Sequence, residues 1–255
     1  NGVGLHTGKN AKIIVEPAAV NHGIKFQRVD VENQPIISAD VNLVTDTQRS
    51  TTLEKNNVKV ITVEHLMSAL YALKINNALI KIDSPEIPIL HGSAKQYVDA
   101  ILKVGVKQQS ERIEFLKLNK PLNYTDVDSG SEILYVPDED FKVSVVLDYG
   151  DSVLGTQYAE LRNIDDYPLE IASCKTFVLL TELEKLAKAN LIKGGDLENA
   201  IVMVDRKDID ISELKDLAHL LGKEEVDIKI NRNILNNCEL QFHNEPARHK
   251  LLDLI

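Results

Sequence analysis

The segment His249-Lys-Leu-Leu-Asp253 near the end of this 255-residue chain sets a histidine and a carboxylate four positions apart, on one face of any helix it forms. A second helix-compatible stretch, Thr62-Val-Glu64-His65-Leu-Met-Ser-Ala-Leu70, places a carboxylate directly beside a histidine. If these groups serve one metal ion, two helices from distant parts of the chain must meet, and few architectures allow that. Neighbours on a helix point about 100° apart, so Glu64 and His65 do not readily bind the same ion. His65 suits a ligand, and Glu64 suits a base that reaches a water at that ion. A catalytic zinc site takes three protein ligands and keeps an open position; His65, His249 and Asp253 fill that list.

Plainer readings of both stretches stay open on local pattern alone. A His-x-x-x-Asp pair also supports a helix by a surface hydrogen bond, with Leu251, Leu252, Leu254 and Ile255 on the broad apolar arc. Val63, Leu66, Met67, Leu70 and Leu73 likewise form an apolar stripe, which leaves Glu64 and His65 on its polar side. His22, His219 and His243 have no partner at ligand spacing and read as solvent-side residues.

Composition narrows the class. At roughly 100–200 residues per domain, the length fits one large or two modest domains, and 44% hydrophobic residues can build their cores. The net charge of -10, without a basic run, argues against nucleic-acid binding, which needs a concentrated basic patch. Cys174 and Cys238, with no Cys-x-x-Cys spacing, suggest a reducing compartment rather than a disulfide framework. No apolar stretch reaches the roughly 18–20 residues that span a bilayer. Asn1 is not a methionine, and the expectation is a piece of a longer protein.

The pattern along the chain divides into two halves. Residues 11–16 and 24–31 read as strands, 58–61 leads into a helix capped by Thr62 and stopped at Asn76-Asn77, and 78–83 is a further strand. Ser93-x-x-Gln96 reads as a capping box for a helix that ends at Gly105. The polar stretch Lys107-Gln-Gln-Ser-Glu-Arg112 is the junction. Beyond it, strands are expected at 113–118, 131–136, 141–148 and 199–204, a helix at 181–190, and a closing helix from Pro246.

Six ordered motifs carry a resemblance: Gly2-Val-Gly-Leu-His6-Thr-Gly8, Thr62-Val-Glu-His-Leu66, Ser84-Pro-Glu-Ile-Pro-Ile89, Lys175-Thr-Phe177, Gly194-Gly195 with Asn199-Ala-Ile-Val202, and Arg248-His-Lys-Leu-Leu-Asp253. In this order the chain resembles, from end to end, the UDP-3-O-acyl-N-acetylglucosamine deacetylases, zinc amidases of lipid A synthesis in Gram-negative bacteria. The resemblance implies an α+β fold of two similar two-layer sandwich domains, residues 1–108 and 109–255, packed helices-inward around an interfacial active site. It implies Zn2+ on His65, His249 and Asp253, Glu64 as general base, Thr176 as oxyanion donor and Lys250 facing the substrate. An insert at about 178–204 would form an acyl tunnel lined by Leu180, Leu183, Ile192, Leu197, Ala200 and Val202, with small Gly194-Gly195 letting the chain pass. Asp148 and Tyr149 match positions near the uridine, Phe177 a substrate-contacting aromatic, and His6 a loop that either faces substrate or stabilises itself. The implied substrate is UDP-3-O-((R)-3-hydroxyacyl)-N-acetylglucosamine, and the implied location is the cytoplasm, including the inner-membrane surface.

The chain departs from that family twice. His91 stands where the family has an aspartate. The family also continues past Asp253 to a histidine that protonates the leaving amine, so residues 1–255 alone are expected to be impaired or part of a longer protein, including a fusion with a hydroxyacyl-carrier-protein dehydratase. A peptide-directed zinc hydrolase would need His-Glu-x-x-His, which Glu64-His65 reverses. A non-catalytic binding module remains the alternative from another class.

Overall fold

Alternation in Ala78-Leu-Ile-Lys-Ile82 buries Ala78, Ile80 and Ile82, as the two-residue period of a strand requires. In the computed structural model, which describes residues 1–150, 152–189, 191–220, 228–231, 233–235 and 240–255, this strand is interior to a four-stranded mixed sheet. The order is 13–17, 78–82, 24–28, 36–38, with 78–82 antiparallel to the first and parallel to the third. Strands Val44–Asp46, Thr52–Lys55 and Val58–Ile61 make a separate antiparallel sheet. Its last hairpin turns on Asn56-Asn57, with φ of 51° and 63°, the left-handed pair that asparagine tolerates in two-residue hairpins.

Helix α1 (Glu64–Ala72) starts and stops differently from the sequence expectation. Thr62 is not its cap: the residue lies at φ 60° and its hydroxyl donates to Glu86 Oε1 at 3.0 Å. The helix closes at Lys74 (φ 59°), where Ile75 N donates to Leu70 O and Lys74 N to Tyr71 O, both at 2.9 Å. This is a Schellman arrangement, completed before Asn76-Asn77 is reached. Helix α2 (Lys95–Val104) ends on Gly105 at φ 80°. At its start Ser93 Oγ accepts only from Lys95 N, at 3.3 Å, and Ala94 occupies the cap position, so the expected reciprocal box does not form.

In the second half, 113–118 forms no strand. Pairing falls instead on Leu122–Thr125 with Glu132–Tyr135, because the turn between them fixes the register: Asp126 holds Asp128 N and Ser129 Oγ, and Gly130 sits at φ 70°. Phe115 and Leu116 are left largely exposed. Val143–Asp148 pairs with Thr156–Leu161 over six residues, followed by helix α3 (Tyr167–Glu170). Strands Phe177–Leu179 and Ile201–Met203 run parallel with helix α4 (Leu180–Lys188) between them in sequence. Helix α5 (Ile211–Leu220), absent from the sequence reading, precedes the short strands Ile230–Asn231 and Ile234–Leu235, which complete a four-stranded sheet with 177–179 and 201–203. The last element, helix α6 (Glu245–Leu254), carries Pro246 in its first turn. Cys174 is buried with a free thiol; Cys238 lies outside the described residues.

The described elements are therefore mixed α/β, of the α+β kind. A single apolar cluster joins Phe26, Leu66, Leu70 and Ile80 to Val145, Leu161, Tyr167, Ala247 and Leu251, so both halves share one core. Full burial of a leucine such as Leu66 or Leu251 contributes roughly 1.5–3 kcal/mol. A second cluster, Leu180, Leu183, Val202, Val204, Leu214 and Leu235, belongs to the region after residue 177.

Candidate metal centre

Helix α1 buries Leu66, Ala69 and Leu70, and helix α6 buries Ala247, Leu251 and Leu252. Covering these stripes in one core packs α1 against α6. His65 and His249 then meet edge to face, ring centroids 5.0 Å apart at 83°. With Asp253 they offer three ligand atoms that all lie within 4.8 Å of one another.

Hydrogen bonding assigns the histidine atoms. His249 Nδ1 lies 3.0 Å from Cys174 O; a carbonyl only accepts, so Nδ1 carries the proton and Nε2 presents its lone pair. That Nε2 faces Asp253 Oδ1 at 3.5 Å, two acceptors that need a cation or a proton between them. Burial withholds the proton, lowering the pKa of His249 and taking that of His65 down to about 3. Burial works to raise Asp253, but His249 and Lys250 outweigh it and the carboxyl ionises below its ordinary range. His65 Nδ1 is buried without a hydrogen-bond partner. Two neutral imidazoles and a carboxylate, with an orphaned ring nitrogen among them, fit a zinc ion.

Glu64 stands beside this set without joining it. Burial pushes its pKa up to about 7, and the Asp253 charge adds to the rise; Thr51 N donates to its Oε2 at 3.0 Å. Lys250 Nζ donates to Asp253 Oδ2 at 2.9 Å and lies 5.7 Å from the Phe177 ring centroid. Thr176 is held on both sides: its N–H donates to Gly92 O at 2.7 Å and its carbonyl accepts from Ile201 N at 2.8 Å. Helix α6 also grips the preceding residues, because Glu245 Oε1 accepts from Lys175 N at 2.8 Å while His249 holds Cys174. Gly92, at φ 76°, lies against Asn199 O, where a Cβ would come within 1.7 Å. The neighbouring His91 is exposed and outside the ligand set.

A cavity of about 340 Å³ is lined by Thr176, Phe177, His6 and Arg49, then by apolar side chains including Leu183, Ile192, Leu197, Ala200 and Val202. Leu180 is not on that wall; it is buried in the cluster that forms it. Asp148 and Tyr149 are not on the wall either. Asp148 Oδ1 accepts from Gly150 N at 2.9 Å and from Thr156 Oγ1 at 3.3 Å. The Tyr149 hydroxyl is buried without a partner, its pKa pushed up to about 12 by burial and then by the Glu182 charge. A Cβ on Gly194 would come within 2.2 Å of Gly4 O, and the Gly194 N–H donates to Leu5 O at 2.9 Å, while Gly195 lines the cavity. Sequence reasoning missed Glu245, which holds Lys175 N, and, on the cavity wall, Arg49 and the α5 residues Leu214 and Leu217. The three-residue spacing of those leucines was the available signal.

The amino-acid sequence resembles known proteins along its whole length. Residues 1–218 match the family described as UDP-3-O-acyl N-acetylglycosamine deacetylase, LpxC. Across all of its length the chain is 45% identical to the "Bifunctional enzyme LpxC/FabZ" of Bacteroides thetaiotaomicron, covering 55% of that protein. It is 42% identical to the protein of the same name in Porphyromonas gingivalis, covering 54%. It is 34% identical to the "UDP-3-O-acyl-N-acetylglucosamine deacetylase" of Psychrobacter sp., covering 77%. The chain thus spans about half the length of the bifunctional relatives and three quarters of the other, and it belongs to the UDP-3-O-acyl N-acetylglycosamine deacetylase family.

Proposed function

We propose that the chain carries the site of a zinc-dependent amide hydrolase that removes the N-acetyl group from UDP-3-O-((R)-3-hydroxyacyl)-N-acetylglucosamine, releasing acetate in lipid A synthesis. The observation that carries this reading is the convergence of ligand atoms from His65, His249 and Asp253 within 4.8 Å. Zinc bound there would lower the pKa of a water and polarise the amide carbonyl. Glu64, with a pKa near 7, is matched to taking that water's proton. Thr176 lies at the cavity wall, where its hydroxyl can donate to the acetamide oxygen as charge develops. Lys250 adds positive charge beside Asp253. Leu183, Ile192, Leu197, Ala200 and Val202 enclose the acyl chain and exclude water, with Leu180 supporting them from behind. Phe177 contacts the substrate near Lys250, and Asp148 with Tyr149 contributes to the nucleotide end.

The same reading divides the chain into two helices-inward sandwich domains at residues 1–108 and 109–255, with the cavity region as an insert in the second. No described helix is long and apolar enough to cross a membrane, which agrees with action in the cytoplasm or at a membrane face. The "Bifunctional enzyme LpxC/FabZ" name of relatives at 40–45% identity favours one addition: in its full-length form this protein is also bifunctional. The test is acetate release from the acylated UDP-sugar by metal-loaded and chelator-stripped full-length protein. Release that depends on zinc supports the assignment; no release from zinc-loaded, folded protein overturns it.

A further inference from the structure

Glu86 has no role in the chemistry above, yet among the described residues it is the carboxylate with the fullest set of donors. It is fully buried. Oε1 accepts from His6 N at 2.9 Å and Thr62 Oγ1 at 3.0 Å, and Oε2 accepts from Thr7 N at 2.8 Å and Thr7 Oγ1 at 2.7 Å. Four donors fill the four lone-pair positions of a carboxylate. The backbone around it is fixed as well: Ile61 N donates to Pro85 O at 2.9 Å and Ile87 N to Ile61 O at 3.0 Å. The loop it holds fits so closely that a Cβ on Gly4 would lie 2.3 Å from Glu86 Oε2.

These partners lead to two functional elements. Thr62, a β-branched residue at φ 60°, occupies a conformation that persists only when its surroundings impose it; it stands three residues before His65. His6 lines the cavity that Thr176 also lines, and its Nε2 is buried with no hydrogen-bond partner. The loop therefore carries an unused ring nitrogen on a residue that lines the cavity.

We propose that Glu86 is a positioning residue: by clamping the Leu5–Thr7 loop against the entry to helix α1, it aims His6 at a polar group of the substrate beside the metal centre. This rests on the deacetylase reading above. A glutamine cannot replace it. The two hydroxyls can rotate to accept from an amide NH2, but the backbone N–H of His6 or Thr7 would face that NH2, donor against donor.

The experiment compares the full-length protein with Glu86→Gln, His6→Ala, the double variant and the milder Thr7→Val. We expect Glu86→Gln to lower kcat/KM roughly 10- to 100-fold, mostly through KM, with zinc content unchanged. The double variant should lose no more than His6→Ala alone, since residues acting as one unit are not additive. Thr7→Val, which removes one hydroxyl and spares the backbone, should raise KM in the same direction and reports if Glu86→Gln does not fold. Losses that add, or a lowered Tm with kcat/KM unchanged, overturn the proposal. Inactivity of the parent protein would count against the deacetylase reading instead; the clamp is then read from the His6 ring resonances by NMR, which should move in Glu86→Gln or Thr7→Val and must stay put if the proposal is wrong.

Discussion

The candidate metal centre and the cavity beside it are built on different terms. At the centre directed hydrogen bonds fix several of the groups: His249 on Cys174 O, Glu64 on Thr51 N, and Thr176 between Gly92 O and Ile201 N. The cavity wall is a set of aliphatic side chains from several elements, Leu183, Ile192, Val202, Leu214 and Leu235 among them, whose contributions come from area and have no required direction. A polar site built from a few directed contacts fails at once when one of its groups is removed. An apolar wall should instead weaken in steps, which is also how a pocket can grade substrates by chain length.

The comparison breaks most visibly at His249. Replacement by alanine removes a ligand and frees Cys174 O, so zinc content should fall to a small fraction and turnover to background; metal analysis showing one zinc per chain in His249→Ala would reject the ligand set. On the cavity side, a UDP-N-acetylglucosamine without its acyl chain forfeits about 0.8 kcal/mol per buried methylene, or roughly 10²- to 10³-fold in kcat/KM over a few methylenes. Equal efficiency on both substrates would detach the cavity from the reaction. Leu183→Ala, at a buried wall position, should cost about 2 kcal/mol of stability in a denaturant titration while zinc stays bound, in contrast with His249→Ala.

The smallest effect is a pH dependence of the chelator-stripped protein. His65 has its folded pKa depressed to about 3 by burial, against about 6.5 unfolded. Between those values the unfolded state binds more protons, so stability falls as pH drops below about 6.5 and stops falling below about 3. At about pH 5.5 the loss is about 1.4 kcal/mol for such a histidine, seen as a lower urea midpoint than at neutral pH. His65→Gln should flatten that slope, and an unchanged slope would mean another group carries it.

The same contrast explains what could be read from the sequence. His249-x-x-x-Asp253 and Glu64-His65 were legible because helical geometry converts spacing directly into a shared face. The apolar periodicity of α1 and of 78–82 also placed those elements within a few residues. Glu86 was not legible: it lies in a quoted motif, but three of its four donors belong to a loop about 80 residues away, and backbone N–H groups leave no mark on composition. Lys74 ends α1 where glycine would be expected, because the Ile75–Leu70 closure overrides the residue preference. The run at 113–118 has strand-like residues without a partner, and the Asp126–Gly130 turn gives the pairing to 122–125.

The central claim is that Glu64 works beside the metal and not on it. The direct measurement is zinc stoichiometry together with turnover in Glu64→Gln. Full zinc content with turnover lowered about 10²- to 10⁴-fold, as for a lost general base, is the expected result. Loss of the zinc along with the activity would make Glu64 a ligand and contradict the account.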